Sequence, residues 1–309
     1  MRKGTLFSLM LLFFINAVAQ NTISETLTYT NPVDSVLINN EKIAFQDTGS
    51  GATTLLFIHG LSSYMEAWNK NISSLKEDYR CIAIDLPGYG KSSKNRLDYT
   101  LAEYADFINQ FIKEKELKNV VLVGHSMGGQ IAMTSVLKAP ENFQKLILIA
   151  PAGIETFAEE EGKIMKMSYT ASMVENASEE QIRNNFKLNF YEFPEDAEFM
   201  VEDRIAMKNA SDFPDYSKMI VNNIHAMLEE PVIDKLPEIK IPVLMIYGAN
   251  DALIPNKYFH PTQDLEFLAT KAKEKMPQLQ VKIIDKAGHF VNFEKSNLVN
   301  NEIESFLKH

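Results

Sequence analysis

The chain holds a single cysteine, Cys81, so no internal disulfide can form and the fold must rest on its core. Cys81 sits in the apolar run Cys81-Ile82-Ala83-Ile84, with nothing beside it to favour a thiolate, which points to a small core residue rather than a nucleophile. No G-x-x-x-x-G-K-[ST] segment is present to cradle a phosphate, and no two histidines stand at the i, i+4 spacing of a zinc helix. No cofactor or metal is therefore called for. Positive charge is scarce: 31 Lys and Arg against 41 Asp and Glu leave a formal net charge of -10. That balance argues against nucleic acid or an anionic membrane surface as a partner and leaves a small-molecule substrate as the expected one. Blocks of like charge, internal repeats and low-complexity runs are also missing. With 45% hydrophobic residues over 309 positions, the chain can nonetheless bury a large core.

The longest apolar run at the N-terminus, Leu6–Ile15, is shorter than the roughly 20 residues a bilayer span needs. Arg2 and Lys3 precede it and Ala17-Val18-Ala19 follows, the layout of a secretory signal peptide over residues 1–19 with cleavage after Ala19. The expectation is an exported protein, periplasmic or secreted, with no membrane insertion after cleavage and a monomer as the favoured state. Cleavage would remove two basic residues and no acid, so the mature charge would be -12.

Short apolar runs follow at Thr53–Ile58, Arg80–Asp85, Val120–Val123, Leu146–Ala150, Val243–Tyr247 and Val281–Ile284. Each reads as a buried strand, and helical patterns separate them. One such helix starts at a capping box, Thr100 with Glu103, and carries Leu101, Tyr104, Ala105, Ile108 and Ile112 on one face. Strands apolar throughout and separated by helices imply an α/β fold, a mostly parallel central sheet with helices on both faces. From about Gly153 to Pro237 the alternation breaks, and helical patterns run over 162–174, 178–190 and 216–228 with no strand between. The chain therefore divides into a core (20–152), a helical cap inserted over 153–237, and the rest of the core (238–309). Seven of the fourteen methionines fall in that cap, a pliable lining suited to closing over apolar ligands.

Chemistry should lie at the carboxyl ends of the strands. There Gly124-His125-Ser126-Met127-Gly128 sets a serine between glycines, at the junction of a strand and a helix. A serine held on such a corner is a candidate nucleophile, and it needs a base with an orienting carboxylate. Of the six histidines, His59 and His125 are locked beside strands and suit loop hydrogen bonding. His225 falls in a cap helix, His260 in a connecting segment, and His309 is terminal. His289, directly after the last strand, remains as the base. Asp251, in the turn-rich loop after Val243–Tyr247, leads as the acid. Asp85 competes but better suits bracing the turn Pro87-Gly88-Tyr89-Gly90, and Asp285 falls within the last strand. An oxyanion would need two donors: the N–H of Met127 after the serine and the N–H of Leu61 after His59-Gly60.

These residues resemble the α/β-hydrolase fold enzymes with a helical cap. The resemblance rests on His59-Gly60, Asp85-Leu86-Pro87-Gly88-Tyr89-Gly90-Lys91-Ser92, Gly124–Gly129, Gly248-Ala249-Asn250-Asp251 and Gly288-His289-Phe290, and it covers about residue 36 to the C-terminus. It implies Ser126 as nucleophile, His289 as base and acid in turn, Asp251 as its orienter, and Leu61 with Met127 as the oxyanion hole. The dehalogenases and epoxide hydrolases of this fold carry aspartate where Ser126 stands. Proline iminopeptidases usually carry Gly-Gly-Pro where Leu61-Ser62-Ser63 follows Gly60. The implied activity is hydrolysis of a small, largely apolar carboxylic ester through an acyl-enzyme. Carbon–carbon bond hydrolysis, aminopeptidase activity, and a receptor-like role with little turnover are the alternatives. An acidic cap face, Glu159-Glu160-Glu161 with Glu179-Glu180, could serve the receptor-like role by docking a partner.

Overall fold

The computed structural model describes residues 20–308; the expected signal peptide and His309 lie outside the described residues. Eight strands form one sheet: β1 (Asp34–Ile38), β2 (Glu41–Thr48), β3 (Thr54–Ile58), β4 (Arg80–Ile84), β5 (Val120–His125), β6 (Phe143–Ile149), β7 (Val243–Gly248) and β8 (Leu279–Ile284). Their spatial order is β1-β2-β4-β3-β5-β6-β7-β8. β1 and β2 form an antiparallel hairpin and β2 lies antiparallel to β4, while every other neighbouring pair is parallel.

Four helices precede the insertion: α1 (Ile23–Thr26), α2 (Asn69–Leu75), α3 (Leu101–Glu114) and α4 (Met127–Lys138). Between β6 and β7 come α5 (Glu159–Ser168), α6 (Ala171–Glu175), α7 (Glu179–Lys187), α8 (Glu198–Met207) and α9 (Phe213–Glu229). Three close the chain: α10 (Leu265–Lys275), α11 (Val291–Glu294) and α12 (Ser296–Lys308). No described helix is long and apolar enough to cross a membrane.

Because successive strand residues face opposite sides, each central strand feeds two cores. On β5, Val120 and Leu122 join the core under α3 and α4, whereas Val121 and Val123 join the one under α2 and α12. That double burial is why these strands read as unbroken apolar runs. α3 begins as its capping box requires, with Glu103 N–H on Thr100 Oγ1 at 3.1 Å and Thr100 N–H on Glu103 Oε2 at 2.9 Å. Two further N–H groups of its first turn, from Leu101 and Ala102, donate to the Glu230 carboxylate at 3.0 Å each. A helix start is thus satisfied by the residue on which the insertion returns to the core.

The structure departs from the sequence expectation in its details. The hairpin β1–β2 was not anticipated, because Asp34 and Ser35 are exposed and only β2 is well buried. The helix expected over 162–174 is two helices, broken at Tyr169-Thr170, where Thr170 Oγ1 caps α6 by accepting from Met173 N–H at 3.3 Å. α9 starts three residues earlier than the expected Tyr216, with Pro214 in its first turn. α8 escaped because Phe199, Met200, Val201, Ile205 and Met207 do not gather on one face. Asp285 lies just beyond β8, which ends at Ile284.

Candidate active site

The chain turns from β5 into α4 at Ser126, whose φ is 54° and ψ -120°. A non-glycine residue there costs about 1–3 kcal/mol, so its surroundings must impose the conformation. They do so by close packing. A Cβ on Gly124 would stand 2.3 Å from the Gly128 carbonyl oxygen, and one on Gly128 would stand 2.5 Å from those of Ile58 and His59. Only glycine permits α4 to press this closely on β3 and β5. The corner is also bonded in place: Ser126 N–H donates to Ile149 O at 2.9 Å, and Ser126 O accepts from Gly129 N–H at 2.9 Å and Ala152 N–H at 3.1 Å.

The loops after β7 and β8 are stitched together, Ala249 N–H to Ile284 O and Asn250 N–H to Ala287 O, both at 2.8 Å. This brings Asp251 and His289 into contact, with His289 Nδ1 2.8 Å from Asp251 Oδ2. The other carboxylate oxygen, Oδ1, accepts from Leu253 N–H at 2.8 Å and Ile254 N–H at 3.0 Å. Both side chains are buried. With Nδ1 directed at the carboxylate, the imidazole keeps Nε2 as its remaining basic position. Ser126 and His289 line one cavity of about 280 Å³. The Ser126 hydroxyl and His289 share that wall without a direct hydrogen bond between them, a looseness common in ligand-free sites.

Of the expected oxyanion donors, Leu61 lines the cavity, while Met127 opens α4 with its side chain buried in the core. The Leu61 loop is pressed against the serine, since a Cβ on Gly60 would lie 3.1 Å from Ser126 Cβ and 3.0 Å from His125 Nδ1.

The residues set aside on sequence grounds have structural duties. His59 Nδ1 bonds Gly60 O at 2.8 Å, and Leu86 N–H donates to its Nε2 at 3.1 Å, which fixes the tautomer. Burial lowers the His59 pKa to about 4, so the ring is neutral. His125 Nε2 bonds His289 O at 3.0 Å, and burial, then the nearby His289, depress its pKa further. Asp85 braces the glycine turn, accepting from Lys91 N–H at 2.8 Å, Met65 N–H at 2.8 Å and Tyr29 OH at 2.6 Å. Burial pushes its carboxyl up to about 6 despite those donors. Burial also pushes the Cys81 thiol up to about 12, which leaves it inert at neutral pH.

The insertion supplies much of the remaining wall, including Met165, Ile224, Met227 and Leu228. A second cavity of about 720 Å³ lies under the insertion, bounded by Met173, Ile182, Phe186 and Arg204, and the two cavities share Leu61, Asn189, Ile224 and Phe290. Sequence reasoning missed Glu155 and Gln130, which also line the smaller cavity. Glu155 follows β6 by a few residues, so the strand-end rule that pointed to Asp251 and His289 points to it as well.

With this geometry in view, the chain belongs to the alpha/beta hydrolase fold family, whose model matches residues 53–296. Among similar proteins, the "dihydrolipoyllysine-residue acetyltransferase component of acetoin cleaving system" of Cupriavidus necator is 27% identical over 273 residues, 87% of this chain and 67% of that protein. The chain thus spans about two thirds of that relative's length. A "putative esterase/lipase 2" of Mycoplasma pneumoniae is 28% identical, covering 82% of this chain and 88% of its own. A "probable hydrolytic enzyme" of Pseudomonas aeruginosa PAO1 superposes with a TM-score of 0.83 at 20% identity, covering 94% and 98% of the two chains, a likeness of fold. Family and neighbours together support a hydrolase of that fold.

Proposed function

We propose that the protein is a serine hydrolase that cleaves a small, largely apolar carboxylic ester through an acyl-enzyme. The observation that carries this reading is the His289 Nδ1–Asp251 Oδ2 bond of 2.8 Å, beside a cavity whose wall also holds Ser126 on its strained corner. In the proposed reaction Ser126 Oγ attacks the ester carbonyl while His289 Nε2 takes its proton. Asp251 holds the imidazole in the required tautomer and offsets the charge it gains. The negative charge on the former carbonyl oxygen falls between the N–H groups of Leu61 and Met127, each worth roughly 3 kcal/mol of barrier. His289 then protonates the leaving alcohol, and a water repeats the sequence on the acyl-serine. Apolar side chains such as Ile224, Met227, Leu228 and Leu253 around the cavity favour an uncharged acyl group.

The test is a panel of nitrophenyl esters, amides and lactones of graded acyl length, run beside Ser126→Ala. Ester turnover abolished in that variant is the expected result. Amide or carbon–carbon substrates turned over in preference to esters would reassign the bond cleaved. Tight binding without turnover would favour the receptor-like alternative. Export is proposed from the N-terminal sequence alone, and N-terminal sequencing of the mature protein should begin at Gln20.

A further inference from the structure

We propose that Glu155 and His260 form a second carboxylate–imidazole pair, which positions the loop carrying Asp251 and supplies negative charge beside the Asp251–His289 couple. The proposal rests on the hydrolase reading above.

Glu155 is buried on the cavity wall, and its carboxylate grips the far end of the acid loop. Asn256 N–H donates to Oε1 at 2.9 Å and to Oε2 at 3.1 Å, and His260 Nδ1 lies 2.5 Å from Oε1. Asn256 passes the restraint on, taking His260 N–H on its carbonyl at 2.8 Å and Tyr258 N–H on its Oδ1 at 3.1 Å. At its near end the same loop is closed by Asp251 Oδ1 on the N–H groups of Leu253 and Ile254. Residues 251–260 are therefore held at both ends by carboxylates, one of which is the expected catalytic acid. His260 is itself fixed, its ring stacked on Phe157 at 5.2 Å and its Nε2 3.5 Å from Glu161 Oε2 at the start of α5. Phe157 lines the catalytic cavity, so the clamp reaches the substrate space as well.

A neutral side chain could tie down the Asn256 N–H. A buried carboxylate is the costlier choice, and what it adds is charge. The groups facing it are Tyr247 on β7 and Asp251, Asn256 and His260 on the acid loop; beyond them Glu161 on α5 meets His260, and Lys271 on α10 has its Nζ 3.4 Å from Thr156 Oγ1. The Tyr247 hydroxyl is buried without a partner, and after burial the charges of Asp251 and then Glu155 hold its pKa up. Burial likewise raises the Glu155 pKa, with Asp251 adding to it, so the two carboxylates sense one another. Negative charge here favours the imidazolium that His289 becomes on taking the serine proton. Removing that charge should therefore move the acid limb of the rate profile to lower pH.

The experiment is the pH profile of kcat/KM on a neutral nitrophenyl ester, with Ser126→Ala as the blank. Glu155→Gln keeps an acceptor for Asn256 and removes the charge. Its acid limb should move down by about 0.5 pH unit, with kcat falling about tenfold and KM little changed. His260→Gln keeps the carboxylate and removes its clamp; kcat should fall about fivefold while the acid limb stays within about 0.2 pH unit of wild type. If Glu155→Gln does not fold, the His260→Gln arm decides alone. An unmoved limb in Glu155→Gln, or wild-type kcat in His260→Gln, would overturn the proposal. Absence of any Ser126-dependent turnover in the wild type would sink the hydrolase reading, and this proposal with it.

Discussion

The insertion consists of two halves built on different terms. In α9 the side chains of Phe213, Tyr216, Met219, Ile220 and Ile224 are buried, and in α8 those of Met200, Val201 and Met207. In α5 and α6 no residue is buried, and in α7 only Ile182 is. The α8–α9 half is bolted to the core by polar contacts. Asn223 Oδ1 accepts from Tyr89 OH at 2.6 Å and Tyr104 OH at 3.1 Å, Asn222 Nδ2 donates to Leu97 O at 2.8 Å, and Asp212 Oδ1 accepts from Ile23 N–H at 2.7 Å. The α5–α7 half leaves Met167 81% exposed and Met173 60% exposed. Few buried contacts mean a low cost of local opening. Under the proposed function, α9 fixes one wall of the Ser126 cavity through Ile224, Met227 and Leu228, and α5 to α7 form the part that adapts to the substrate.

The contrast breaks most readily at Asn223. Replacing it with leucine takes from the buried Tyr89 hydroxyl its oxygen acceptor and leaves Tyr104 OH only the Pro87 carbonyl at 3.2 Å, and urea denaturation should show a loss of about 3 kcal/mol. A loss below about 0.5 kcal/mol, the range of ordinary surface substitutions, would mean that this helix is not anchored as described.

Acid tests the same footing. The His59 ring lies 4.8 Å from Tyr89. Its folded pKa of about 4 is below the ordinary 6.5, so the neutral ring stabilises the fold at pH above 6.5. As pH falls from there through about 4, that contribution is lost, on the order of 3 kcal/mol. Thermal melts across this range in wild type and His59→Gln should converge towards the acid end; parallel curves would remove His59 from the account.

A smaller effect is expected at Arg204, which reaches from α8 to Ser62 Oγ at 2.7 Å, Ser62 O at 2.5 Å and Tyr216 OH at 2.9 Å. Ser62 holds a φ of 61° next to the proposed donor Leu61. Arg204→Gln should lower kcat on a short ester about tenfold by loosening that loop, at a stability cost of about 1 kcal/mol. The smallest effect belongs to the loose half. Met173→Ser should change stability by less than about 0.5 kcal/mol, while shifting KM for long-chain esters about threefold with short-chain esters unaffected. Equal shifts for both chain lengths would place Met173 outside the substrate path.

How much of this was legible in the sequence follows from how locally each feature is determined. The five strands from β3 to β7 announced themselves because both faces are largely buried, leaving apolar runs, whereas edge strand β8 exposes Gln280, Lys282 and Ile283 and was read only from Val281–Ile284. Ser126, His289 and Asp251 were singled out because a parallel sheet directs its loops to one edge, and the structure brings the last two into a hydrogen bond. β1 and β2 were not legible: an edge hairpin with exposed Asp34 and Ser35 carries a weak apolar signal. α8 was hidden because its apolar residues are spread around the helix, held between the core and its neighbours. The pairing of His260 with Glu155 joins residues 105 apart in sequence, so no local pattern could reveal it. His260 read as a connector because its partner is set by the meeting of two loops.

The central claim is that an alcohol on the β5–α4 corner is activated by the imidazole after β8. It is tested most directly by labelling with a fluorophosphonate and mapping the adduct by mass spectrometry. The account predicts a single adduct on Ser126, formed about a thousandfold more slowly in His289→Ala. An adduct on another residue, or labelling of Ser126 at the same rate without His289, would contradict it.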